Sequence, residues 1–137
     1  MKESVQVVEG WARLWSDPKA TRTEFEVLFA SKCRYEDVPF GEILQGPEET
    51  YDFHRRARHS FPDFTITLDS VIVDDEGAAC ATWSMSGTQT GDLPGLPATG
   101  RSVSMSGVSV LRIANDKITH CTDYYDAATM IRQLTDG

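Results

Sequence analysis

From Phe64 to Tyr125 apolar and polar residues alternate in four successive runs, and this pattern constrains the fold more than any other feature of the chain. The runs are FTITLDSVIVD, AACATWSMSGTQT, RSVSMSGVSVLRI and ITHCTDYY, and two of the joins are DDEG and ANDK. A period of two with turn residues between the runs predicts four strands in an antiparallel meander. Such strands bury only one face, so something must cover it.

The first half supplies the cover. Val5, Val8, Trp11, Ala12 and Trp15 fall at helical spacing and predict an amphipathic helix over about residues 3–16. The segment TEFEVLFAS predicts a second short helix. KCRYEDVP then alternates until Pro39 and reads as a first strand. In PEETYDFHRRARHSF, Pro47 stands in the first turn, acids follow it, and bases gather at the end, which predicts a third helix. Ala127, Met130, Ile131 and Leu134 predict a short closing helix. Helices followed by antiparallel strands give an α+β domain in which a curved sheet wraps over helices. No linker divides the 137 residues, so one domain over 1–137 is expected.

Charge narrows the partners. With 13 Lys+Arg against 21 Asp+Glu the net charge is −8, which disfavours nucleic acid and anionic membranes. No apolar run is long enough to span a bilayer, and MKESVQVVEGW lacks the apolar centre of a signal peptide, so a cytoplasmic protein is expected. Cys33, Cys80 and Cys121 have neither disulfide nor CxxC spacing and read as small hydrophobes. His54 and His59 point apart on the third helix and His120 stands alone, so no metal site is expected.

The acids that could carry chemistry lie at strand ends. On the last strand Cys121, Asp123 and Tyr125 share a face, and Cys121 suggests that this face points inward. Asp126 falls where the closing helix starts and suits an N-cap. Asp123 has no such local use. It is either an acid/base group or a hydrogen-bond anchor, with Tyr35 as one candidate partner. On the first strand Cys33, Tyr35 and Asp37 share the expected inner side. Asp37 precedes a proline-containing turn whose backbone it can bond, and the structural reading is favoured there. Tyr124 reads as a half-buried strand residue, while Tyr35 and Tyr125 stay open. Trp83 and Met85 share a face that lines a pocket, a core or an oligomer interface, the last two being favoured. HRRARH, residues 54–59, suits an anionic ligand but is more simply a solvated helix face. GDLPGLPATG, residues 91–100, is either a flap over a pocket mouth or a stiff turn that tucks two leucines under it.

The run from FPDF to IRQL, residues 61–134, resembles the SnoaL-like polyketide cyclase family of the nuclear-transport-factor-two-like superfamily. FPD, GTQTG, LPATGR, LRI…DKI and the terminal DYYD…QL carry the resemblance, and YEDVPFGEILQG adds to it more loosely. The resemblance implies a cystatin-like α+β barrel, in which a conical curved antiparallel sheet packed on N-terminal helices encloses a pocket. It implies a cofactor-free acid/base enzyme acting on an apolar carbonyl compound, most simply an aldol cyclase of polyketide type. Asp123 would be the acid/base group, assisted by Asp37 and Tyr35. Trp83, Met85, Cys121, Tyr125, Ser109, Trp15 and Phe53 would bind substrate. The outer face of the sheet, with one or more of Trp83, Val108 and Val110, would otherwise expose an apolar patch, so a homodimer is expected, and the resemblance points the same way.

Alternatives within the superfamily are an isomerase or dehydratase, an epoxide hydrolase, or a non-catalytic small-molecule-binding module. Limonene-epoxide hydrolases match at Asp123 and, through a Tyr-x-Asn, at Tyr35 and Asp37. Their Arg-x-Asp pair has no counterpart in AACATWSMSG. Ketosteroid isomerases place a base at Asp37, but their oxyanion-binding Tyr and Asp fall on Gly10 and Ser109. Cyclases of the family often have His in the segment that here holds Gln89.

Overall fold

The computed structural model describes residues 3–136; Met1, Lys2 and Gly137, which belong to the expected 1–137 domain and the N-terminal stretch, lie outside the described residues. The elements in chain order are α1 (Ser4–Ser16), α2 (Arg22–Leu28), β1 (Phe29–Asp37), β2 (Glu42–Gln45), α3 (Gly46–Ser60), β3 (Thr65–Val73), β4 (Ala78–Thr88), β5 (Ser102–Ala114), β6 (Lys117–Tyr125) and α4 (Ala127–Thr135). The strands form one sheet in the order β2-β1-β6-β5-β4-β3. The sheet is curved but unclosed, with β2 and β3 as edges, so the expected barrel is an open one.

The meander forms as its alternation requires. Ala79, Ala81, Trp83 and Met85 of β4 and Val103, Met105 and Leu111 of β5 are buried on one face, with α1 packed over β3 and β4 and α4 against β5. Trp83 is therefore on the inner side, and of the three residues expected on an outer dimerising face it is the one that does not belong there. The hairpins close where the backbone can turn back: Asn115 and Asp116 have φ of 53° and 64°, the pair of positive values that a two-residue turn needs. Gly77 has φ +88° and leaves room for Ile113, whose carbonyl oxygen a Cβ would meet at 2.2 Å.

Three expectations about the first half need correction. Helix α2 stops at Leu28, because Phe29 already pairs with Ile118 of β6 and enters the sheet. Glu42–Gln45 forms a strand against β1 that is only 4 residues long, too short for periodicity to show. The sheet is not wholly antiparallel: β1 runs parallel to β6, with Tyr35 beside Cys121 and Asp37 beside Asp123.

The basic run also departs from a solvated face. His54 and Arg58 are buried, and both direct donors at the last turn of α1: Arg58 donates to the Trp15 carbonyl at 2.7 Å, and His54 Nε2 lies 3.1 Å from the same oxygen. Carbonyls at a helix C-terminus lack partners within the helix and attract cations and N–H donors. Burial lowers the His54 imidazole to about 4, so it is neutral at pH 7 and donates through Nε2. The clamp fixes Trp15, whose ring faces the cavity described below. Among the described residues no helix is long and apolar enough to cross a membrane.

Candidate active site

A cavity of about 860 Å³ lies between the inner face of the sheet and the helices. Its walls are mostly aromatic and apolar, among them Trp15, Phe53, Phe64, Trp83 and Met85. Two acids interrupt them. Asp37 ends β1 and Asp123 lies near the end of β6, and the parallel register sets the two residues side by side across the ladder. Both are buried, at 4% and 7% exposure, and both line the cavity.

Asp123 is held from three directions. The Tyr35 hydroxyl donates to Oδ2 at 2.5 Å and the Ser109 hydroxyl to Oδ1 at 2.6 Å. The Cys121 thiol adds a weak contact to Oδ1 at 3.6 Å. Ser109 is itself oriented, since it accepts the Trp83 indole N–H at 3.0 Å. Gly107, which pairs with Trp83 across the β4–β5 ladder, makes this possible: a Cβ there would stand 2.3 Å from Cη2 of the Trp83 ring. Asp37 accepts the Tyr125 hydroxyl at 2.8 and 3.0 Å on its two oxygens, and the Phe40 amide at 3.2 Å. That amide lies in the turn after β1, so the local role expected for Asp37 is present together with a place on the cavity wall.

These contacts are neutral, and no cation pairs with either acid among the described residues. Burial pushes the Asp123 carboxyl up to about 7, against the opposing Ser109 and Tyr35 hydroxyls, and the charge of Asp37 adds to the rise. Asp37 is raised as well, first by burial, with Tyr125 and the Phe40 amide opposing. Burial and the nearby carboxylates push Tyr35, Tyr125 and Cys121 upward, so all three keep their protons near neutral pH and act as donors. The site therefore holds one carboxyl that can both release and accept a proton around pH 7.

Of the residues expected to form the site, Asp123, Asp37, Tyr35, Tyr125, Trp83, Met85, Trp15 and Phe53 all line the cavity. Ser109 and Cys121 do not. Both instead touch the Asp123 carboxylate, through the Ser109 hydroxyl and the Cys121 thiol. Tyr124 is half exposed. Gln89 is fully buried and ties down the following loop, donating to the Leu96 carbonyl at 3.1 Å and accepting the Thr99 hydroxyl at 2.9 Å. The loop so anchored brings Leu93 and Pro94 to the cavity, as a flap would. Sequence reasoning missed Phe40, Phe61, Phe64, Ile66 and Met130 on the walls. The aromatic spacing in FPDF was the available signal for two of them. Among the described residues no group of three or more His, Cys, Asp and Glu side chains is placed to hold a metal ion.

A family model for SnoaL-like polyketide cyclases matches residues 5–134. The chain belongs to the SnoaL-like polyketide cyclase family. Solved structures agree on the SnoaL-like fold. TsrD from Streptomyces laurentii is 25% identical, with a TM-score of 0.82 over 96% of this chain and 95% of TsrD. IdmH, a candidate polyketide cyclase from Streptomyces antibioticus, is 18% identical, with a TM-score of 0.82 over 97% of this chain and 99% of IdmH. A protein of ketosteroid isomerase-like fold from Catenulispora acidiphila, in complex with trimethylamine, is 21% identical, with a TM-score of 0.80 over 94% of this chain and 92% of its own. No match was found among curated proteins.

Proposed function

We propose that this SnoaL-like protein is an acid/base enzyme acting on an apolar, carbonyl-containing small molecule, and that its reaction is an aldol-type ring closure that needs no cofactor. The observation that carries the reading is a buried carboxyl, without a cation partner among the described residues, at the wall of a large apolar cavity, where burial pushes it up to about 7. A general acid/base is most effective when its pKa lies near the working pH. Asp123 in its ionised form removes a proton from the carbon next to a carbonyl. The resulting enolate carbon attacks a second carbonyl of the same molecule, and the protonated Asp123 returns its proton to the new alkoxide oxygen. The cycle leaves Asp123 ionised, and no net proton is consumed.

The neighbours assist in separate ways. Tyr35 and Ser109 orient the carboxyl, Asp37 raises its proton affinity and holds Tyr125, and the aromatic walls keep a flexible chain folded for closure. A binding module is supported by one observation, the protein donors that already occupy both oxygens of Asp123. The cavity volume of about 860 Å³, the size of a site for a drug-sized molecule, suits both readings, and the raised Asp123 carboxyl favours the enzyme. The test is turnover of a panel of poly-β-carbonyl compounds and aryl diketones, followed by mass spectrometry and NMR of the products. Cyclised product from wild type and none from Asp123→Asn supports the reading; equal cyclisation by both proteins overturns it.

A further inference from the structure

Charged side chains of both signs line the cavity. Asp37 and Asp123 lie deep in it, whereas helix α3 brings Arg55, Arg56 and His59 to its lining. These are the exposed members of the basic run, left in solvent while His54 and Arg58 turn inward to α1. Arg56 is held in place: its guanidinium lies 5.5 Å from the centroid of the Phe53 ring, and Glu42 takes it through both carboxylate oxygens at 2.9 and 3.5 Å. Glu42 itself lines the cavity. Arg55 has no ion pair among the described residues. Asp92, another acid of the lining, accepts the Ala98 amide of its own loop at 2.8 Å.

A planar guanidinium supported on an aromatic face and gripped at two nitrogens is the geometry in which arginine receives a carboxylate or a phosphate. We infer that the substrate carries an anionic group besides its reacting carbonyl, that Arg55 and Arg56 receive this group at the cavity mouth, and that Glu42, which pairs with Asp37 across β1 and β2, holds its place when the site is empty. The inference deepens the acid/base reading and rests on it for the orientation of the substrate. The anion cannot lie against Asp37 and Asp123, where it would meet like charge in a poorly solvated wall. It therefore points outward, and the carbonyl end is delivered to Asp123. The two arginines set direction of binding as well as affinity.

The test uses three naphthyl ketones that differ only at the end of a methylene chain: a carboxylate, its methyl ester, and the corresponding phosphate monoester, each at three chain lengths. Binding is followed by quenching of tryptophan fluorescence, since Trp15 and Trp83 line the cavity. At least one anion is expected to bind about tenfold more tightly than the ester, the scale of a charge-assisted hydrogen bond that solvent partly screens. The tighter of the two anions identifies the group. The preference is expected to disappear in Arg55→Gln/Arg56→Gln, to weaken in Arg56→Lys, which keeps the charge but loses the planar two-nitrogen grip, and to grow in Glu42→Gln, where the internal competitor is gone. Raising the salt to about 0.5 M is expected to weaken the anions and spare the ester. Equal binding of anion and ester by the wild type, or an unchanged preference in the double variant, overturns the inference. Because binding alone is read, the same titration in Asp123→Asn separates the two readings: an anion preference kept there stands even if Asp123 is not catalytic.

Discussion

Replacing Asp123 by asparagine is expected to change how stability depends on pH. In the folded protein this carboxyl titrates at about 7, against 3.8 for a free aspartate. Between those values the folded state keeps the proton and the unfolded state releases it, so the free energy of unfolding falls as pH rises. Below 3.8 both states are protonated and burial of a neutral acid carries no such penalty. Above 7 the penalty is complete. At 1.36 kcal/mol for each tenfold change in proton affinity, the interval amounts to about 4 kcal/mol. Asparagine does not titrate and loses this slope. It also carries an NH₂ where an oxygen accepted a hydroxyl, so either Tyr35 or Ser109 must turn, at a cost of about 1–3 kcal/mol at every pH. Asp37 remains in both proteins, and its own titration largely cancels in the comparison. The variant is therefore expected to be less stable than wild type at pH 4 and more stable at pH 8. The difference changes by about 4 kcal/mol, or roughly 10–20 °C in melting temperature for a domain of this length. Urea titrations at half-unit steps between these pH values measure it. Parallel stability curves for the two proteins would refute the claim that burial raises this carboxyl.

Gly107→Ala drives a Cβ into the Trp83 ring, so the indole must move and Ser109 loses its donor. A destabilisation of about 1–3 kcal/mol is expected by denaturant titration, with a shifted tryptophan emission; an unchanged emission maximum would count against the Trp83–Ser109–Asp123 chain. Asp126 accepts the Thr129 amide at 3.0 Å as the N-cap of α4. Asp126→Ala is expected to lower the melting temperature and leave turnover unchanged, the reverse of Asp123→Asn above pH 7. The outer face of the sheet aligns Ile72, Cys80, Val110 and Thr122 across β3, β4, β5 and β6. Ile72 and Val110 are 68% and 47% exposed, and we propose that a second copy of the chain covers them. Light scattering is expected to give a dimer mass, and Val110→Lys a monomer; a monomer at micromolar concentration in the wild type would contradict this.

What was legible in the sequence followed from local pattern. Alternation placed Trp83 and Met85 on one face and Asp123 with Cys121 on another, and the helix start at Ala127 singled out Asp126 as a cap. What was hidden depends on partners far along the chain. Nothing near residue 35 announces that β1 lies parallel to a strand almost ninety positions later, yet that pairing brings Asp37 beside Asp123. The inward turn of His54 and Arg58 has the same origin, because their acceptor is the Trp15 carbonyl at the end of another helix. Ser109 and Cys121 lie on the inner face, but their contact with Asp123 depends on the pairing of β5 with β6, which alternation along one strand does not show. The strand Glu42–Gln45 was too short to show a period, although it carries the glutamate that grips Arg56.

The central claim is that Asp123 moves a proton on and off the carbon next to a carbonyl. Deuterium exchange tests it without the natural substrate. A naphthyl alkyl ketone is incubated with the protein in deuterated buffer, and loss of its α-proton signal is followed by NMR across pH 5–9. The account predicts exchange faster than in protein-free buffer, a rate that rises with pH through a midpoint near 7 as Asp123 ionises, and a fall of about 10²- to 10⁴-fold in folded Asp123→Asn. Exchange by Asp123→Asn at the wild-type rate, or no acceleration over buffer by wild type with the ketone bound, would contradict it.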